Sequence, residues 1–164
     1  SWGYMLENGA TTLWERWELS TGHGMNSHNH PMMGSIGSWL YKVLAGINVA
    51  PDTAGFDRFQ IRPIFVAGLD HVAAEHTSVR GTVRSAWRRE GGRVVLTVEI
   101  PVNSEAEATI PASPGQSIWE SGTLVWRDGA AVQATTGITL LRSDAAGAVF
   151  RLGAGRYEFV VQQV

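Results

Sequence analysis

Cysteine is absent from this chain of 164 residues. That excludes disulfides and thiolate metal sites, and leaves the redox compartment open. Charge is also scarce: 17% of residues are Asp, Glu, Lys or Arg, and the net charge is −2. A balance so close to neutral gives no electrostatic basis for binding nucleic acid or an anionic membrane surface. No apolar run approaches the ~20 residues that a membrane span needs. No signal peptide is visible at the start of the sequence. The sequence opens at Ser1 as if in the middle of a protein, so the missing leader says nothing about export. A glycine-rich phosphate loop, a G-x-S-x-G elbow and a recognisably spaced Ser/His/Asp set are all missing. There is no internal repeat and no low-complexity linker.

What is present is apolar and aromatic. Hydrophobic residues make up 44% of the chain, which places it among globular proteins, and seven are tryptophan. Indole offers a wide apolar face with a polar edge, suited both to cores and to stacking on sugar rings, with core packing the commoner use. The length allows one large domain or two small ones.

Two periodicities divide the chain. Pro31 suits a first helical position, and Met32, Met33, Ile36, Trp39, Leu40, Val43, Leu44 and Ile47 recur every three or four residues. This predicts a helix of about 16 residues, ~24 Å long, with Gly46 at its C-terminal stop. Its other face carries Gly34, Ser35, Gly37, Ser38 and Ala45, small residues that would admit a neighbouring helix. Upstream, Thr12-Leu13-Trp14-Glu15 fits a capping box and predicts a short helix from Thr12 to about Glu18. Ser20 to Asn29 reads as loop. After Ala50 the period becomes two. Phe59 to Arg62, Arg93 to Ile100, Glu105 to Ile110 and Tyr157 to Val161 alternate between turns such as Glu90-Gly91-Gly92 and Arg127-Asp128-Gly129. Seven or eight antiparallel strands are expected, enough for a two-sheet sandwich. The expected domains are therefore residues 1–50, helical, and 51–164, an all-β sandwich.

Candidate chemistry concentrates at the start, in Gly9 to Glu18 and in Met25-Asn26-Ser27-His28-Asn29-His30. Here a carboxylate, Glu15, sits between Trp14 and Trp17, with amides and imidazoles close by. Sugar sites combine such groups: aromatic faces for C–H surfaces, polar forks for hydroxyls and a carboxylate to activate water. At a helix N-terminus Glu15 would also be kept ionised by the helix dipole, as a base requires. The bland reading of Glu15 is that it closes the capping box; Glu18 reads as a solvated residue. His28-x-His30 places two imidazoles on one side of an extended segment, and zinc would want a third ligand such as His23 or Glu15, but no spacing fixes one. Loop hydrogen bonding is the commoner use of such histidines. Trp119 and Trp126 offer a possible sugar surface on the sandwich, with packing the stronger reading.

Taken together, Gly9-Ala10-Thr11-Thr12-Leu13-Trp14-Glu15-Arg16-Trp17, Met25 to His30 and Gly34 to Tyr41 closely resemble the C-terminal end of bacterial α-L-rhamnosidases of glycoside hydrolase family 78. Leu44 to Ile47 and the stretch from Phe56 to Ile61-Arg62-Pro63 are similar to that family too. The resemblance implies the last helices of an (α/α)6 barrel followed by an antiparallel C-terminal β-sandwich. It also implies that Glu15 is the general base and that His30 contacts the rhamnose; Trp14 and Trp17, on either side of Glu15, are expected to bind the sugar with it. No metal or cofactor is implied. The general acid and most other sugar contacts would lie upstream of this chain, which by itself would then be inactive. His28 stands where the family often has an aromatic, and Pro31-Met32-Met33 is a variation.

The expected function is therefore that of part of an inverting glycosidase acting on a terminal α-L-rhamnosyl glycoside, partnered by the upstream portion of the same enzyme. Two rivals stand beside it: a non-catalytic carbohydrate-binding sandwich, and another inverting glycosidase or phosphorylase of the same barrel type.

Overall fold

A computed structural model describes residues 1–24, 26–133, 135–144 and 147–163. The chain divides into two compact units, Ser1–Leu40 and Tyr41–Val164.

The first unit opens with helix α1, Trp2–Glu7, capped by Ser1, whose hydroxyl oxygen accepts a hydrogen bond from the Tyr4 amide at 3.2 Å. A long loop follows. The helix expected from Pro31 to Gly46 forms as one run of changing pitch: a 3-10 segment Pro31–Ser35, an α-helical turn Ile36–Trp39 (α2) and a π-helical turn Leu40–Leu44. Gly34, Ser35, Gly37 and Ser38 explain the departure, since glycine and serine hold a regular α-helix poorly. Gly34 is also approached closely, as a Cβ there would lie 3.0 Å from Leu13 Cδ1. Gly46 ends the run at φ +76°, the left-handed conformation that its place in the sequence predicts.

The second unit contains twelve strands among the described residues: β1 Ile47–Val49, β2 Arg58–Ile61, β3 His71–Ser78, β4 Gly81–Glu90, β5 Arg93–Ile100, β6 Glu105–Pro111, β7 Gln116–Glu120, β8 Thr123–Arg127, β9 Ala130–Ala131, β10 Ile138–Asp144, β11 Gly147–Leu152 and β12 Gly155–Gln163. They form a five-stranded sheet in the order β1-β2-β6-β11-β10 and a seven-stranded sheet in the order β3-β4-β5-β12-β7-β8-β9. The strands beyond the expected seven or eight include β1 and β9, too short to show an alternating pattern. Pairing is antiparallel except between β2 and β6. Those two are separated by three strands of the other sheet, and a connection that long permits a parallel return.

The period-two pattern buries one face of each sheet. Phe59 and Ile61 from β2, Ile110 from β6 and Phe150 and Leu152 from β11 meet Trp87 from β4, Leu96 from β5, Ile118 from β7 and Phe159 from β12, all in one apolar core. Each such side chain contributes ~1.5–3 kcal/mol on burial, so this core dominates the stability of the unit. β4 also brings two polar groups inside. The Trp87 indole N–H donates to the Leu44 carbonyl at 2.9 Å, and the Ser85 hydroxyl donates to the Ala45 carbonyl at 2.6 Å. These satisfy two of the carbonyls that a helix leaves open at its C-terminal end.

The sequence places the division at residue 50. In the structure β1 pairs with β2, Ile47 opposite Ile61, and the compact units divide between Leu40 and Tyr41. Buried Leu44, Ala45 and Ile47 commit this stretch to the second unit before any strand pattern becomes readable.

Apart from buried Trp14 in the first unit and half-buried Trp119 in the second, the tryptophans divide by unit as well. Trp87 and Trp126 are buried in the sandwich, whereas Trp2, Trp17 and Trp39 of the first unit are 39%, 44% and 45% exposed.

Candidate active-site loop

Residues 11–18 are not helical. The capping box fails because its groups are engaged elsewhere. The Thr12 hydroxyl donates to the His28 carbonyl. The Glu15 amide donates to the Ser27 carbonyl at 2.8 Å, and the Leu13 carbonyl accepts from the His30 amide at 2.8 Å. The Glu15 carboxylate does not turn back to Thr12 either; its Oε2 accepts from the Ser27 amide at 3.0 Å. A capped helix over 12–18 would need Glu15 N for the Thr12 hydroxyl and Leu13 O for the Trp17 amide, so cross-linking and helix exclude one another. With no helix, the dipole argument for keeping Glu15 ionised falls.

The outcome is that the two strings singled out in the sequence, around Glu15 and around His30, lie side by side. Trp14, 4% exposed, stacks on the His28 ring at 4.9 Å between centroids and 21° between planes. One of its faces is therefore occupied. Trp17 is different: it is exposed, and its one ring contact among the described residues is a T-shaped one with Trp2, at 5.0 Å and 87°. Glu15, His28 and His30 are half-buried. His30 precedes the 3-10 turn in extended conformation and makes no side-chain capping bond, so its ring is not committed to the backbone. Glu18, exposed, pairs with Arg16 at 3.4 Å, an ion pair of little energetic consequence at the surface.

Among the described residues no three His, Asp or Glu side chains converge closely enough to hold a metal ion. Asn26, within the Met25 to His30 string, has its side-chain nitrogen buried with no partner among the described residues. A buried amide donor is costly unless something accepts from it. Composition carries no signal for this; only the burial shows it.

The chemistry of this loop is then compact: a carboxylate fixed through one oxygen, an uncommitted imidazole, an amide donor awaiting an acceptor and an exposed indole face.

Comparison with known proteins gives consistent findings. Residues 1–44 match the family model of the bacterial α-L-rhamnosidase six-hairpin glycosidase domain, and residues 46–124 match that of the bacterial α-L-rhamnosidase C-terminal domain. An α-L-rhamnosidase of Streptomyces avermitilis is 36% identical over 167 aligned positions, covering 98% of this chain and 15% of that protein. One from Formosa agariphila is 39% identical over 124 positions, covering 72% and 13%. Among solved structures, the α-L-rhamnosidase of Dictyoglumus thermophilum superposes with a TM-score of 0.84 at 33% identity, over 99% of this chain and 17% of that one. The Streptomyces avermitilis enzyme complexed with L-rhamnose superposes at 0.78 and 34% identity, over 99% and 15%. The chain thus spans about 15% of the length of the first of these curated relatives.

Proposed function

This chain belongs to the bacterial α-L-rhamnosidase family, and we propose that it completes the catalytic site of a larger glycoside hydrolase that releases terminal α-L-rhamnose. In this reading the residues up to the Gly46 turn are the last helices of an (α/α)6 barrel, and the strands after it are the enzyme's C-terminal sandwich. Glu15 is the general base. It deprotonates a water on the face of the sugar opposite the leaving group, while a carboxylic acid from the upstream polypeptide protonates the glycosidic oxygen. The two carboxyl groups then stand ~6.5–9.5 Å apart to admit that water, and the product has inverted configuration. His30 and Asn26 bind sugar hydroxyls, Trp17 offers its exposed face to the C–H surface, and Trp14 braces the loop through His28. No cofactor takes part.

One observation carries the proposal. Glu15 is held by the Ser27 amide through Oε2 alone, within a loop that also brings His30 to the same place. The remaining oxygen has no protein partner among the described residues, as a base that must take a proton from water requires.

The test is hydrolysis of an aryl α-L-rhamnoside by the full-length protein. His30→Ala should raise KM by roughly tenfold, the scale of one lost hydrogen bond to a polar substrate. Chelation with EDTA should leave the activity of the unaltered protein where it was. Activity lost to the chelator and restored by zinc would instead make the histidines metal ligands.

A second expectation concerns the chain by itself. Trp2, Leu6, Trp17, Met32 and Trp39 are all exposed in the first unit, with Leu6 73% and Met32 63% accessible. Each large apolar side chain left in water forgoes ~1.5–3 kcal/mol, so this surface calls for a cover, and the proposed barrel provides it. Expressed alone, the chain should not hydrolyse the rhamnoside. Its amides over residues 31–40 should exchange quickly while those of β4, β5 and β12 stay protected. Slow exchange over 31–40 in a monomer would remove the need for a covering barrel.

A further inference from the structure

A cleft of about 860 Å³ in the second unit is unlike the rest of the molecule in charge. Acidic residues outnumber Lys and Arg by 15 to 13 in the chain as a whole, yet the cleft is lined by Lys42, Arg62 and Arg89 and by no carboxylate. The cations that form ion pairs among the described residues are Arg16, Arg84, Arg88, Arg93 and Arg142. Lys42, Arg62 and Arg89 form none there. Like charges gathered in one recess without counter-ions raise one another's energy and focus a positive potential, which an anionic ligand relieves.

The three cations are also differently held. Arg89 is fixed: its guanidinium donates to the Phe65 carbonyl at 2.9 Å and to the Leu69 carbonyl at 3.3 Å, and it lies 5.9 Å from the Trp87 ring centroid. Lys42 and Arg62 are exposed and carry no side-chain hydrogen bond to the described residues. Arg62 also borders a second groove of about 330 Å³, where Arg142 is paired with Glu107 at 3.5 Å. That second groove is lined by Glu107 and Asp144 as well as by Arg62 and Arg142, so the excess of positive charge belongs to the larger cleft. Between the cations the walls are apolar, with Ile64 53% exposed and Phe65 half-buried. The amide of Gln60 and the hydroxyl of Thr109 also line it. An inorganic ion uses none of these surfaces, and the volume falls within the ~300–1,000 Å³ of sites that hold organic ligands.

We propose that this cleft binds an acidic sugar chain, with a uronate carboxylate between Lys42, Arg62 and Arg89 and the C–H faces of the pyranose rings against Ile64 and Phe65. A planar carboxylate suits the fork of Arg62. The apolar walls suit alternate sugar faces and favour this ligand over a polyphosphate. The site is non-catalytic and independent of Glu15, so it stands or falls apart from the rhamnosidase reading.

Calorimetric titration of the 164-residue chain tests it. Tetragalacturonate should bind at least about tenfold more tightly than the neutral cellotetraose. Binding should weaken by about tenfold or more in the Lys42→Gln, Arg62→Gln double variant, and again as salt is raised to ~0.5 M. Both substitutions are at exposed positions, so the melting temperature should hold; Arg156→Gln, outside the cleft, should bind like the unaltered chain. Equal affinity for cellotetraose, unaltered affinity in the double variant, or inorganic phosphate binding as tightly with the same sensitivity to the variant (an adventitious ion only) would each overturn the proposal.

Discussion

Replacing Glu15 by glutamine in the full-length enzyme is expected to lower kcat by about 10²–10⁴-fold while KM stays within about tenfold, the signature of lost general-base catalysis. The geometry makes glutamine a clean probe. Its amide oxygen still accepts the hydrogen bond that the Ser27 amide gives Oε2, so the loop keeps its place. What it cannot do is take a proton from water. Loss of activity through a misplaced loop would instead appear as a changed KM and as altered stability. Proton NMR of the first-formed sugar supplies the second half of the experiment, since an inverting mechanism releases β-L-rhamnose from an α-linked substrate. Retention of more than about a tenth of kcat in the variant would remove Glu15 from the role.

The largest effect on stability should come from Gly46→Ala. Gly46 sits at φ +76°, and a Cβ built there falls 2.2 Å from both the carbonyl carbon of Arg62 and the nitrogen of Pro63. Backbone cannot rotate aside as a flexible side chain can. Either the helical run or the end of β2 must move, and both are tied: the Arg62 amide donates to the Gly46 carbonyl at 2.8 Å, and Ile61 beside it is fully buried. Left-handed strain in alanine adds ~1–2 kcal/mol. A loss of about 4 kcal/mol or more is expected, in the range that single substitutions seldom reach, with a fall in Tm of about 8–16 °C. Gly92→Ala is the control. Its φ is +82°, but nothing lies within 4 Å of a Cβ there, so only the conformational cost should appear. Equal falls in Tm for the two variants would show that the close approach at Gly46 does not matter.

The places where the sequence is legible share a physical cause, as do those where it is not. β5 and β6 read directly because Leu96, Val98 and Ile100, and likewise Ala106, Ala108 and Ile110, alternate with polar residues and are buried. Gly46 reads as a stop because a tight turn after a long apolar stripe needs a left-handed residue. The capping box at Thr12 misleads because its signature is local, whereas the groups that satisfy Thr12 and Glu15 lie twelve or more residues away, in Ser27 and His28. Composition cannot weigh that competition. The even helix expected over 31–46 fails for the opposite reason: the apolar stripe is real, but Gly34, Ser35, Gly37 and Ser38 within it let the pitch drift. At the candidate site, residue types and the meeting of the two strings follow from the sequence by resemblance, while the occupied face of Trp14 and the unpartnered amide of Asn26 are visible only in three dimensions.

β12 lies in the middle of the seven-stranded sheet, bonded to β5 on one side and to β7 on the other. Its position has a consequence for synthesis. As the chain leaves the ribosome, β3, β4 and β5 emerge together and can pair at once, and β7 and β8 follow as a separate hairpin. Each half presents an open edge toward a strand that has not yet been made. β5 ends at Ile100 and β12 begins at Gly155, so at ~5–20 residues per second those edges stay unfilled for several seconds. Nascent sheets with uncovered edges are templates for pairing with other chains. The sandwich is therefore most exposed to misassembly before its last strand arrives, and shortening the chain by β12 would leave two half-sheets with no central strand to join them.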